Sequence, residues 1–79
     1  MKLVTIKSGT LRGNTLQNGA KCIESWQVNK DDYVVLALRE HSFDPYVVWY
    51  SDAAGNCRQG DYCQTIGEAL GIAERRAGL

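Results

Sequence analysis

Two runs near the middle of the chain, Tyr33-Val34-Val35-Leu36-Ala37-Leu38 and Tyr46-Val47-Val48-Trp49-Tyr50, are apolar at consecutive positions. Successive side chains of a strand point to opposite faces, so a strand with one wet face alternates apolar with polar. Neither run alternates. Both faces of the hairpin they form therefore require cover, yet the sequence supplies one convincing helix, at its C-terminal end. That helix can shield one face of a small sheet. The other face is left to a loop, a second copy of the chain or a partner, and this shortage of cover points to binding.

The rest of the chain reads around that hairpin. Residues 2–7 predict a first strand with Val4 and Ile6 on one face. Residues 8–19 hold three glycines, two asparagines and two threonines, which is loop composition, punctuated by Leu11 and Leu16 as anchors onto the domain. Residues 20–28 predict a second strand with Cys22, Trp26 and Val28 on one face. Asn29 to Asp32 is a turn. The central strands span 33–40 and 45–51, joined by His41-Ser42-Phe43-Asp44. The segment 51–56 has the residues of a type I turn closed by a glycine, Gly55, at positive φ, so the hairpin continues into a strand over 57–63.

Thr65-Ile66-Gly67-Glu68 fits a capping box, with Thr65 at the N-cap and Glu68 three positions on. Ile66, Ala69, Leu70, Ala73 and Ala77 then fall on one stripe, with Leu70 at its middle. Arg75 and Arg76 suit the negative end of the helix dipole, and Gly78 ends the helix. The fold class is α+β: an antiparallel sheet of four or five strands with one C-terminal α-helix packed on one face. At 79 residues the chain makes one domain, residues 1–79.

A four-residue loop at 41–44 places Leu38 opposite Val47 and Leu36 opposite Trp49. A three-residue loop at 53–55 places Arg58 opposite Tyr50 and Tyr62 opposite Tyr46. On that register a Leu/Val/Trp face receives the helix. Arg39, Tyr46, Tyr50, Arg58 and Tyr62 gather on the other face as the candidate partner-binding surface, since tyrosine and arginine are enriched at interface hot spots. A slip of one residue would move a strand between faces.

Composition narrows the chemistry. Nine basic and nine acidic residues give a net charge of zero, against the basic excess that phosphate neutralisation demands of nucleic-acid binders. Direct nucleic-acid binding through the Tyr/Arg face is thus an alternative reading and not the first. His41 is a lone loop histidine with no nucleophile beside it in sequence. Cys22, Cys57, Cys63 and His41 match a Cys3His zinc set in number but lack the close C-x2-4-C pair of such sites. No nucleotide-binding glycine pattern occurs. The expectation is a non-enzymatic protein without metal or cofactor. Nothing in the sequence approaches a membrane span or a signal peptide, and the odd cysteine count gives no disulfide framework, so a cytoplasmic protein with free thiols and no membrane partner is expected.

The stretch from Pro45-Tyr46-Val47-Val48-Trp49-Tyr50 through Ser51-Asp52-Ala53-Ala54-Gly55-Asn56 and Cys57-Arg58-Gln59-Gly60-Asp61-Tyr62, followed by Thr65-Ile66-Gly67-Glu68-Ala69-Leu70, resembles small proteins of phages and other mobile elements. Those proteins run strand, acidic-glycine turn, Cys-x-x-Gly strand and capped helix. Several anti-CRISPR proteins share this size, fold class and lack of catalytic motifs. The resemblance implies a compact inhibitor acting in the host cytoplasm. It would occlude a surface of a host protein complex stoichiometrically, for example the target-DNA-binding groove of a CRISPR surveillance complex. A small homodimeric structural or regulatory domain is the alternative drawn from the residues alone.

Overall fold

A computed structural model describes Leu11 and residues 13–79. The strand expected over residues 2–7 lies outside them. Among the described residues four strands, β1 (Lys21–Gln27), β2 (Tyr33–Leu38), β3 (Tyr46–Ser51) and β4 (Cys57–Cys63), form an antiparallel sheet in the order β1-β2-β3-β4. Helix α1 (Ile66–Arg76) packs across β2, β3 and β4 on one face. The chain is thus an α+β fold of the expected class.

Turn chemistry sets the meander. Asn29 Oδ1 accepts hydrogen bonds from the backbone N–H groups of Asp31 and Asp32, both at 2.9 Å, which closes the β1–β2 turn. Asp52 does the same between β3 and β4, accepting from Ala54 N–H at 2.9 Å and Asn56 N–H at 3.0 Å. Gly55 completes that turn at φ 87°, a left-handed backbone that glycine enters without steric cost. The three-residue loop at 53–55 and the Tyr50–Arg58 pair follow as expected.

The β2–β3 connection differs from expectation by one residue. Leu38 pairs with Tyr46, Leu36 with Val48 and Val35 with Trp49. Arg39 N–H donates to the carbonyl of Pro45 at 2.7 Å, so five residues, not four, span the loop. His41 adopts φ 66°, and Ser42 N–H closes back on Arg39 at 3.2 Å. His41 makes that reversal with a left-handed backbone, which nothing in a histidine advertises. Because the side-chain period of a strand is two, the one-residue shift moves every β3 side chain to the opposite face.

Two bulges on the outer strands complete the rearrangement. The pairing of β1 with β2 skips Ile23, which puts Cys22 and Trp26 on opposite faces rather than on one. On β4, Gln59 and Gly60 together stand opposite Trp49, with Gln59 at φ 56°. Bulges of this kind concentrate at sheet edges, where they also discourage pairing with other chains.

The consequence is two cores, one on each face. Under the helix lie Trp26, Val34, Leu36, Val48, Cys63, Ala69 and Ala73. On the other side Cys22, Tyr33, Val35, Ala37, Val47 and Trp49 are roofed by the loop, which inserts Leu11, Leu16 and Ala20. That loop is tied down at both ends. Gly13 N–H donates to the Cys22 carbonyl at 2.8 Å, and Gln17 N–H reaches the Gly55 carbonyl at 3.1 Å in the far hairpin turn. Of the three ways to cover the second face, the chain uses a loop.

Helix α1 starts as its capping residues require, with Thr65 Oγ1 accepting from Glu68 N–H at 3.2 Å, a cap worth about 1 kcal/mol. It ends with Gly78 at φ 84° and with Leu79 N–H bonded to the Glu74 carbonyl, a Schellman-type close. Its buried stripe is rotated from the expected one. Ala69 and Ala73 sit flush on the sheet, flanked by Ile72 and Ala77, while Ile66 and Leu70 are 48% and 38% exposed. The small alanines let the helix backbone approach the sheet, and Leu70 stands at the edge of the contact instead of its middle.

Candidate binding surface

The register decides which of the five expected surface residues meet. Tyr46, Tyr50 and Arg58 lie on the helix side, and both tyrosines pack partly buried against the helix-side core. Arg39 and Tyr62 lie on the loop side, because the bulge at Gln59–Gly60 turns Tyr62 away from Arg58 and pairs it with Val47. The expectation of one continuous Tyr/Arg face is therefore corrected. Two separate clusters replace it.

The helix-side cluster is internally neutralised. Two guanidinium groups approach the Tyr50 ring, Arg58 at 5.6 Å and Arg76 at 4.8 Å from its centroid. Arg58 Nη2 donates to Asp32 at 3.0 Å, and Arg76 Nη2 donates to Asp61 at 2.6 Å. Each cation thus has its own carboxylate and shares the face of one ring. Arg76 is a contributor that sequence reasoning missed, since its placement in the last turn reads as a helix-dipole residue alone. This cluster pins α1 to β3 and β4.

Two turn carboxylates, Asp32 of this cluster and Asp52 of the β3–β4 turn, make folding sensitive to acid. The hydrogen bond from Asn29 Nδ2 at 3.0 Å, followed by the Arg58 guanidinium, holds the Asp32 carboxyl below the usual carboxylate range. Asp52 is lowered chiefly by the Asn56 backbone and side-chain donors. A carboxyl with a lowered folded pKa contributes stability above its unfolded pKa of about 4 and loses it as pH falls through the folded value. The melting temperature is therefore expected to drop below about pH 4, with a shallower drop in an Asp32→Asn, Asp52→Asn double variant. Melting curves at neutral pH and at stepwise lower pH check this, and identical acid limbs in both proteins would contradict it.

The loop-side cluster is organised differently. Arg39 stacks over the Tyr62 ring at 4.7 Å, and Tyr62 meets Trp49 edge-on at 6.2 Å with an interplanar angle of 88°. Gly60 makes room for this, because a Cβ there would stand 2.6 Å from Trp49 Nε1 and 2.9 Å from Tyr62 Cε1. Arg39 Nη2 donates to the Asp44 carbonyl at 3.4 Å, its Nε is buried without an acceptor, and no carboxylate among the described residues pairs with it. Tyr62 remains 51% exposed.

Phe43, at the tip of the β2–β3 loop, is 84% exposed, the most open of the large apolar side chains described. A phenylalanine between Ser42 and Asp44 in a polar loop belongs to neither core among the described residues, and that contrast is the signal by which the sequence could have singled it out. Arg39, at the base of the same loop, also lines a cleft of about 410 Å³ formed with the loop at 15–20, Lys21, Leu38 and Glu40. Arg39 thereby joins the Tyr62 ring to the Asp44 carbonyl at one end of the sheet.

The thiols divide between the faces. Cys22 and Cys57 belong to the loop-side core and Cys63 to the helix-side core, so the sheet stands between them. Burial pushes Cys22 up to about 12, and it raises Cys57 and Cys63 as well. Among the described residues no three His, Cys, Asp or Glu side chains converge to hold a metal, and no helix is long and apolar enough to cross a membrane. Compared with known protein families, curated proteins and solved structures, the chain matches none.

Proposed function

We propose that the chain is a non-enzymatic inhibitor of anti-CRISPR type, which binds a host CRISPR surveillance complex in the cytoplasm and covers its target-DNA-binding surface. The observation that carries the binding reading lies at one end of the sheet, where Tyr62 stays exposed under an arginine with no carboxylate partner among the described residues, and Phe43 stands exposed in the loop whose Asp44 carbonyl that arginine bonds. Two exposed aromatic side chains and an arginine without a carboxylate partner among the described residues have the composition of an interface hot spot. Among the described residues Phe43 belongs to neither core. The size and order of elements that the chain shares with anti-CRISPR proteins supply the class of partner.

Phe43→Ala and Tyr62→Ala are each expected to weaken partner binding by about tenfold or more, the effect of losing an interface anchor. Their melting temperatures should move by only a few degrees, because exposed positions seldom control stability. Affinity capture from a CRISPR-bearing host lysate by the wild type and both variants, with the captured proteins identified by mass spectrometry, makes the comparison. Equal recovery of the same complex by all three would place the interface elsewhere.

A second reading has one observation in its favour. Ile66 and Leu70, one turn apart on α1, leave an apolar strip beside the helix–sheet contact, which a second copy of the chain would cover. A solution mass of twice 8.8 kDa that reverts to the monomer in Leu70→Glu would support it.

A further inference from the structure

We infer that Asn18 is a site of spontaneous deamidation, held in check while its loop is shut and released when the loop opens. Asn18-Gly19 is the one asparagine–glycine step in the chain. It stands in a tight turn over 17–19. There Leu16 N–H donates to the Ala20 carbonyl at 2.7 Å, Gly19 N–H donates to the Leu16 carbonyl at 2.9 Å, and Gly19 has φ 89°. Deamidation needs the Gly19 amide nitrogen to lose its proton and attack Asn18 Cγ. Glycine leaves that nitrogen accessible because it carries no side chain. Both reacting groups are engaged elsewhere in the shut loop. The Gly19 N–H is committed to Leu16, and Asn18 Oδ1 accepts from Ala20 N–H at 3.0 Å, which holds the carboxamide in one orientation. Local opening of the turn releases both bonds and frees the pair to react.

The chemistry balances with water as its one co-reactant. The bond from the Gly19 nitrogen to Cγ forms and the Cγ–Nδ2 bond breaks. Ammonia leaves with the proton given up by the Gly19 amide, and a five-membered imide closes. Water then opens the imide at either carbonyl, to aspartate or to isoaspartate. Aspartate keeps the original backbone and an acceptor for the Ala20 N–H. Isoaspartate routes the main chain through Cβ, which adds an atom between Leu16 and Ala20. A turn closed by bonds of 2.7 and 2.9 Å does not reform on the longer backbone. Leu16 and Ala20 are both buried in the loop-side core, so the isoaspartyl chain leaves that core open. A reversible opening thereby becomes permanent.

The test is mass spectrometry of the full chain incubated in mildly alkaline buffer. Fragmentation of the tryptic peptide 13–21 separates Asn18 from Asn14 and isoaspartate from aspartate. In the folded wild type, ammonia loss should occur at Asn18 ahead of Asn14, Asn29 and Asn56. It should run about tenfold or more slower than in the same chain unfolded in guanidinium chloride. Gln17→Ala removes the 2.8 Å bond from Gln17 Nε2 to the Ala54 carbonyl, which ties the turn to the far hairpin. That variant should speed the folded reaction about two- to tenfold and leave the unfolded rate unchanged. Asn18→Asp should melt with the wild type, and the isoaspartyl fraction below both. Equal rates in the folded and unfolded chains, a Gln17→Ala rate equal to wild type, or no loss from the unfolded chain would overturn the inference. So would faster loss at another asparagine. An isoaspartyl fraction that melts with Asn18→Asp would overturn the permanent opening.

Discussion

Leu16→Ala should lower the melting temperature on the order of 10 °C or more, from a loss of about 2–5 kcal/mol in a domain of this size. Leu16 is 3% exposed and lies with Val35, Val47 and Trp49 in the core that faces away from the helix. Its backbone is fixed from both sides, by its own N–H to the Ala20 carbonyl at 2.7 Å and by Gly19 N–H to its carbonyl at 2.9 Å. A loop so tied cannot collapse into the space a missing isobutyl group leaves, so the cavity persists. Leu70→Ala is the control. At 38% exposure on the flank of α1, it should shift the melting temperature by a few degrees at most. Thermal melts of the two variants check this, and the reverse order would mean that the helix flank and not the loop seals the chain.

Gly60→Ala should cost about 1–3 kcal/mol, the usual penalty for forcing an extra carbon into a packed site. The added Cβ would fall within 3.0 Å of Trp49 Nε1, Trp49 Cδ1 and Tyr62 Cε1, and the buried indole has no free direction in which to retreat. Displacing Tyr62 would also disturb the ring on which Arg39 lies, so the substitution should weaken binding together with stability. The neighbouring Gln59→Gly replaces a side chain strained at φ 56° and should hold or raise the melting temperature, because glycine enters the left-handed region without a Cβ clash. Melting curves of both variants decide the matter. A Gly60→Ala protein as stable as the wild type would show that the bulge does not press against Trp49.

These variants fall where sequence reasoning reached its limit. The demand for cover on both faces was visible in the unbroken apolar run of β2, and it is met. The Thr65 cap and the Asp52–Gly55 turn were visible because side-chain chemistry dictates both. Three features were hidden, and all are backbone events in residues without a strong preference for them. His41 turns left-handed and adds a residue to the β2–β3 loop, Ile23 bulges from β1, and Gln59 bulges from β4. Each changes a register by one, and each such change sends side chains to the other face. The five expected residues therefore do not share one surface. Tyr46 and Tyr50 pack on the helix side, while Arg39 lies over the Tyr62 ring on the other side and bonds the Asp44 carbonyl of the Phe43 loop.

The helix stripe shows the same limit in a milder form. Ala69 and Ala73 were on it, but the spacing of apolar residues alone placed its centre at Leu70. Arg76, a charged residue, occupies buried space that the pattern reserved for hydrophobes, because Asp61 and the Tyr50 ring receive its guanidinium. A charge that folds inward onto a partner is invisible to a periodicity argument.

The most direct measurement is the binding of target DNA by purified CRISPR surveillance complexes of several subtypes, titrated with this protein in an electrophoretic mobility assay. For at least one subtype, DNA binding should fall in proportion to added protein and reach its floor at a fixed molar ratio, with the Phe43→Ala, Tyr62→Ala double variant inactive at the same ratio though folded. Undiminished DNA binding by every subtype at large molar excess, or equal inhibition by the folded double variant, would contradict it.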